Sequence, residues 1–157
     1  MSKGISSITV SPLPHKGSVY FLHRGAGFGK RDNHFMVVLV PDCDLSHCIV
    51  VGIVTSKVEK RKLAAEADGF DPETVVTIKK SDYPKKLRVD SAVDCNHAQK
   101  ITRAFFDKLI SNADICPDLP EHVADDILRG LIKSKNICDS VRNLAKAIIT
   151  TKAKTST

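Results

Sequence analysis

His34 to Val40 reads HFMVVLV, and a short connection containing Pro41, Asp42 and Asp44 leads to Cys48 to Thr55, CIVVGIVT. Phe35 to Val40, directly preceded by His34, and Cys48 to Thr55 are apolar runs of strand length, rich in β-branched residues and bounded by turn formers, and they are predicted as two buried strands. The second ends abruptly at Thr55 and Ser56 and is followed by the basic stretch Lys57 to Lys62. Upstream, GSVYFLH (17–23) has the aromatic and β-branched content of a further strand. Between it and His34, RGAGFGKRDN (24–33) carries three glycines and three cations. That composition suits neither helix nor regular strand and predicts a basic loop.

Downstream, TVVTIK (74–79) and RVDSAVD (88–94) add two short strand candidates, which makes five. From His97 the pattern changes. Ile101, Phe105 and Leu109 recur at helical spacing, so a helix is predicted from about His97. A second opens at Pro120, tolerated in a first turn because its missing N–H would have no partner there, and continues through Val123, Ile127 and Leu131. Asp139 is read as the cap of a third, with Val141, Leu144, Ala145 and Ile148 on one face. Strands and helices are segregated along the chain, which predicts an α+β class with a small, largely antiparallel barrel or curled sheet and C-terminal helices, not a doubly wound fold.

A chain of 157 residues is one domain's worth and long enough for a real core without covalent staples. No apolar run approaches the roughly 20 residues of a membrane helix, and Met1 to Val10 lacks the layout of a secretory signal. A cytoplasmic protein with no membrane partner is expected. Cys43, Cys48, Cys95, Cys116 and Cys138 are odd in number and irregular in spacing, so free thiols are the default. Cys43, His47, Cys48, Cys95 and His97 are good zinc ligands in principle. Their spacing fits no known knuckle, and neither a metal nor another cofactor is predicted.

The net charge of +6 points to a polyanionic partner. The excess is uneven: residues 1–62 hold nine basic and four acidic side chains, residues 63–98 five and seven, and residues 99–157 ten and seven. Gly25, Gly27 and Gly29 do not form a nucleotide-binding loop, because Arg31 follows Lys30 where Ser or Thr is needed and a strand follows where a helix is needed. Polar residues at the strand ends are more informative. If the two buried strands are antiparallel neighbours, His34 at the start of one and Thr55 at the end of the other meet at one sheet edge. A histidine, a hydroxyl and several cations together make a chemically sensible phosphodiester site.

The order of segments resembles the PemK/MazF family of toxins. The residues that carry the resemblance are GSVYFL as first strand, HFMVVLV as the next, VGIVTSK as the apolar strand ending in Thr-Ser, and RVDSAVDCNHAQKI as the family's Ser-x-Val segment before a helix. The stretch TIKKSDYPKKLRVDSAVD is similar to the hairpin and following strand of a PemK-like branch, and the match runs from about Gly17 to Ile101. The resemblance implies an SH3-like barrel, usually a homodimer, that cleaves single-stranded RNA without a metal and is neutralised by an antitoxin protein. Thr55 matches the family's active-site Thr and Ser56 the residue after it. His34 stands where the family has its catalytic Arg, and Phe35 where it has Pro; His is not a like-for-like replacement. Arg31 could supply the missing cation.

The candidate catalytic residues are therefore His34, Thr55, Ser56 and Arg31, and the candidate RNA-binding residues are Arg24, Lys30, Lys57, Arg61 and Ser91. The expected organisation is a flexible lead (1–16), a barrel domain with its following helix (17–110), a helical C-terminal extension packed on the barrel (111–149) and a disordered tail (150–157). A non-catalytic barrel that binds nucleic acid or a protein is the alternative reading, and a toxin of the same fold aimed at a protein such as gyrase is a third.

Overall fold

A computed structural model describes residues 13–23, 33–42 and 47–155, with side chains to residue 151. Among the described residues there are seven strands: β1 Val19–Leu22, β2 His34–Val40, β3 Cys48–Thr55, β4 Val75–Ile78, β5 Ser91–Asp94, β6 Gln99–Thr102 and β7 Asp114–Cys116. The same residues form four α-helices: α1 Val58–Ala67, α2 Arg103–Ile110, α3 Glu121–Lys133 and α4 Asp139–Thr155. All the strand pairs are antiparallel, in the order β4-β5-β3-β2-β1-β7, with β6 beside β3.

The expected class, α+β with an antiparallel sheet and helices after it, is what forms. The expected closed barrel is not. Among the described residues no ladder joins β4 to β7, so the hydrogen-bonded sheet is open. The cause lies in β3, whose edge away from β2 is divided: Cys48 to Val51 pair with β6, and Val54 and Thr55 pair with β5. The sheet splits into two leaves there. Gly52 sits at the division, and a Cβ at that position would come 2.7 Å from Cγ1 of Val93 on β5. The leaf carrying β4 and β5 is held by α3 rather than by a further strand. Gly130 of α3 allows that approach, since a Cβ there would lie 2.5 Å from Cγ2 of Val76.

Why β2 and β3 read as continuous apolar runs is now clear: both of their faces are covered. Val37, Leu39, Val50 and Val54 pack in one core with Val123, Ile127, Leu128 and Leu131 of α3 and Val141 and Ala145 of α4. Met36, Val38, Ile49 and Val51 pack in a second core with Tyr20, Leu22, Ile101 and Phe106 and Leu109 of α2. A register shift between Val38 and Val40 puts Val40 in the first core beside Leu39.

Three elements differ from the sequence expectation. α1 occupies the basic stretch read only as a strand boundary; its Glu, Lys, Arg, Leu and Ala are good helix formers. It ends in a Schellman motif, with Gly69 at φ 81° and its N–H on the Glu66 carbonyl, and the Phe70 N–H on that of Ala65. The helix expected from His97 begins instead at Arg103, capped by Thr102, whose hydroxyl accepts from Phe105 N–H. The residues before it form β6, because pairing with β3 and burial of Ile101 outweigh the helical spacing. β7, three residues long, adds a strand beside β1.

Lys16 closes a nearly buried ion pair with Asp125 of α3 at 2.5 Å, and Gly17 N–H bonds the Val38 carbonyl, so the chain is tied to the core just before β1. At the other end α4 runs through Thr155, into the segment expected as a disordered tail (150–157). No helix among the described residues is long and apolar enough to cross a membrane.

Candidate functional site

The site is assembled where β2 begins and β3 ends. The β2–β3 register pairs Met36 with Ile53, and continued two residues toward the sheet end it sets His34 across from Thr55. On its other side Thr55 pairs with Ala92 of β5, which brings Ser91 to the same end of the sheet. The chain then turns directly into α1. In that turn the Thr55 hydroxyl oxygen accepts from Lys57 N–H at 3.2 Å, which fixes Oγ1 and leaves its hydrogen to donate elsewhere.

Two adjoining cavities open here. The larger, about 770 Å³, is lined by His34, Thr55, Ser56, Lys57, Arg61 and Ser91 among others. All six of these expected site residues thus share one cleft. Arg24, Lys30 and Arg31 lie outside the described residues. The same wall holds two cations that the sequence reading did not single out, Lys86 and Arg88, and among the described residues that line it there is no Asp or Glu. The run Lys85-Lys86-Leu87-Arg88 was the signal for them. A cleft lined by Lys57, Arg61, Lys86 and Arg88 suits a polyanion.

Phe21 and Phe35 also line it. They are cross-strand partners in the β1–β2 ladder, with ring centroids 4.9 Å apart. Both rings are half-buried against the first core, and aromatic side chains beside cations are what single-stranded nucleic acids stack on. Phe35, the residue that stands in place of the family's Pro, is therefore part of the cleft wall.

The smaller cavity, about 180 Å³, shares His34, Thr55 and Arg61 with the larger one and adds Asp94, His97 and Gln99. Asp94 is 8% exposed and is held by Asn96, which is 2% exposed. Asp94 Oδ1 accepts from Asn96 N–H and Nδ2, both at 3.1 Å. Asn96 Nδ2 also donates to Thr74 Oγ1 at 2.6 Å, and Asn96 Oδ1 accepts from Ser134 Oγ at 2.6 Å. This polar network joins the β5 end to the turn after α3, and it leaves no buried side-chain polar atom among the described residues without a partner.

Of the cysteines and histidines that resemble zinc ligands, Cys43 lies outside the described residues. Among the described residues no group of three or more His, Cys, Asp or Glu side chains is placed to hold a metal. Cys95 is fully buried with Sγ on the Ile127 carbonyl, and burial raises its pKa. Cys138 is exposed, and a hydrogen bond with Ser140 lowers its pKa.

No protein-family model matches the chain, and no curated protein sequence matches it.

Proposed function

We propose that the chain is a PemK/MazF-like ribonuclease of the toxin type: an SH3-like sheet that cleaves single-stranded RNA in the cleft at the β2–β3 end, without a metal, in the cytoplasm. What supports this reading is one observation, the gathering of His34 and Thr55 with four cations, Lys57, Arg61, Lys86 and Arg88, in a single cleft. In this mechanism a base activates the ribose 2′-hydroxyl against the adjacent phosphate. Thr55 Oγ1 and Arg61, aided by Arg31, hold the phosphate oxygens as negative charge builds on them. Ser56, Lys57 and Ser91, with Arg24 and Lys30, bind the strand on either side. The products are a 2′,3′-cyclic phosphate and a 5′-hydroxyl. A homodimer and inhibition by an antitoxin protein complete the proposal.

The second reading, a non-catalytic module that binds nucleic acid or a protein, is favoured by the departure at His34 and Phe35. Salt separates a nucleic-acid from a protein partner. With Lys57, Arg61, Lys86 and Arg88 each displacing a counterion, log Kd for a single-stranded oligonucleotide is expected to change with log salt at a slope of about 3, roughly 50-fold weaker binding between about 50 and 200 mM. Fluorescence anisotropy measures this directly. A flat response would point to a protein partner instead.

A further inference from the structure

We propose that His97, oriented by Asp94, is the group that takes the proton from the ribose 2′-hydroxyl in the cavity it shares with His34 and Thr55. This rests on the ribonuclease reading and names the base that reading requires.

The geometry begins in the sequence Asp94-Cys95-Asn96-His97. Cys95–His97 form a 3₁₀ turn directly after β5, and side chains three residues apart eclipse one another in such a turn. Asp94 caps that turn through Asn96 N–H, so its carboxylate faces the His97 ring. His97 Nδ1 lies 2.9 Å from Asp94 Oδ2. A carboxylate oxygen accepts, so Nδ1 carries the hydrogen, and Nε2 of the neutral ring is left with its lone pair as a base. The pair is asymmetric in burial, with the carboxylate 8% and the imidazole 63% exposed. Asp94 is thus a fixed, inward anchor, and His97 is the end that a substrate can reach.

Other histidine–carboxylate pairs occur, but in a different setting. His15–Asp118, His23–Asp114 and His122–Asp82 have carboxylates 53%, 66% and 30% exposed, and none of these histidines lines the cleft. Of these four described pairs, the carboxylate behind His97 is the one that is buried and locked by further hydrogen bonds. The charged and titratable groups that face His97 across the small cavity are Asp94 from β5, His34 from β2 and Arg61 from α1; Thr55 and Gln99 complete the wall without charge.

The step balances. The 2′-hydroxyl proton passes to His97 Nε2 as the O2′–P bond forms. The P–O5′ bond breaks, and the leaving O5′ takes a proton from protonated His34. The products are the cyclic phosphate and the 5′-hydroxyl, and the two imidazoles return to their starting states by exchange with water. Asp94 does not touch the substrate in this scheme; it is a positioning residue.

The test uses the full chain and a mixed-sequence single-stranded RNA oligonucleotide, with the matching all-deoxy oligonucleotide as a non-cleavable probe of binding. His97→Ala is expected to lower cleavage at neutral pH by roughly 10²- to 10⁴-fold with deoxy-oligonucleotide affinity within about twofold. The exposed ring leaves no void, so its melting temperature should match that of the wild type. Added imidazole should restore at least about tenfold to His97→Ala, with a pH dependence that follows imidazole ionisation. Asp94→Asn should also lose at least about tenfold but gain nothing from imidazole, because the ring is still in place in the wrong tautomer. His122→Ala, a surface histidine outside the cleft, should cleave as the wild type does.

An active wild type with a fully active His97→Ala would overturn this inference and leave the ribonuclease reading standing. So would a His97→Ala that is inactive, binds weakly and does not respond to imidazole, since that describes a binding residue. A wild type that binds but does not cleave would overturn both.

Discussion

Thr55→Ala is expected to lower RNA cleavage by about 10²- to 10³-fold, the effect of removing one donor from a site where negative charge develops. The hydroxyl is already fixed by Lys57 N–H, so it needs no reorganisation to meet a phosphate oxygen. Loss of that single half-exposed bond should cost stability no more than about 1 kcal/mol, so thermal melting separates an inactive protein from an unfolded one. His34→Ala tests the facing wall and should lose roughly 10²- to 10⁴-fold if the imidazole transfers a proton. His34→Arg, which restores the residue that the PemK/MazF family has in this place, should retain part of the activity or gain some. Two fully active alanine variants would put the site elsewhere.

The largest structural effect is expected at Asn96. Its amide is buried and spans three elements, donating to Thr74 Oγ1 and Asp94 Oδ1 and accepting from Ser134 Oγ, which is itself fully buried. Asn96→Ala removes all three contacts, leaves a void and takes the acceptor from a buried hydroxyl. A buried polar group without its partner costs about 1–3 kcal/mol. With the lost amide bonds and the void, the total should be about 3 kcal/mol, a drop in melting temperature of roughly 6–12 °C for a chain of this size. The bonds from Asn136 Nδ2 to the Asn96 carbonyl and from Asn96 N–H to Asp94 survive, since they use the main chain at Asn96. The fold should therefore persist below the transition. A change under about 1 kcal/mol would mean that the network is not what couples the β5 end to α3. Asp94 would also lose one of its restraints, so cleavage at temperatures where the variant is folded should fall too.

How much of this was legible in the sequence depended on the kind of signal. β2 and β3 were legible because burial on both faces leaves an unbroken apolar run, and His34 and Thr55 could be set side by side because antiparallel pairing joins the start of one strand to the end of the next. β6 was not, because Ile101, Phe105 and Leu109 fit a helix equally well, and only the β3 edge vacated beyond β5 decides for a strand. The open sheet was hidden for a related reason: nothing local tells that β3 divides its edge at Gly52, or that α3 holds the β4 leaf where a ladder would close a barrel. α1 was not legible as a helix, although its composition favours one, because the cluster Lys57 to Lys62 reads equally well as a charged strand boundary. At the site, Lys86 and Arg88 were visible as a basic run but lay about thirty residues from Thr55, so only the fold brings them to it. The Asp94–His97 pair was legible in spacing, yet without the 3₁₀ turn its residues read as the end of a strand and the start of a helix.

The central claim is that this cleft cleaves RNA by itself. Its most direct measurement is incubation of the purified full chain with an end-labelled single-stranded RNA oligonucleotide in excess EDTA, with the product ends identified by mass spectrometry. The account predicts cleavage, with a 2′,3′-cyclic phosphate on one fragment and a 5′-hydroxyl on the other, and none from the all-deoxy oligonucleotide. RNA that stays intact, or that is cut only when Mg²⁺ or Zn²⁺ is supplied, would contradict it.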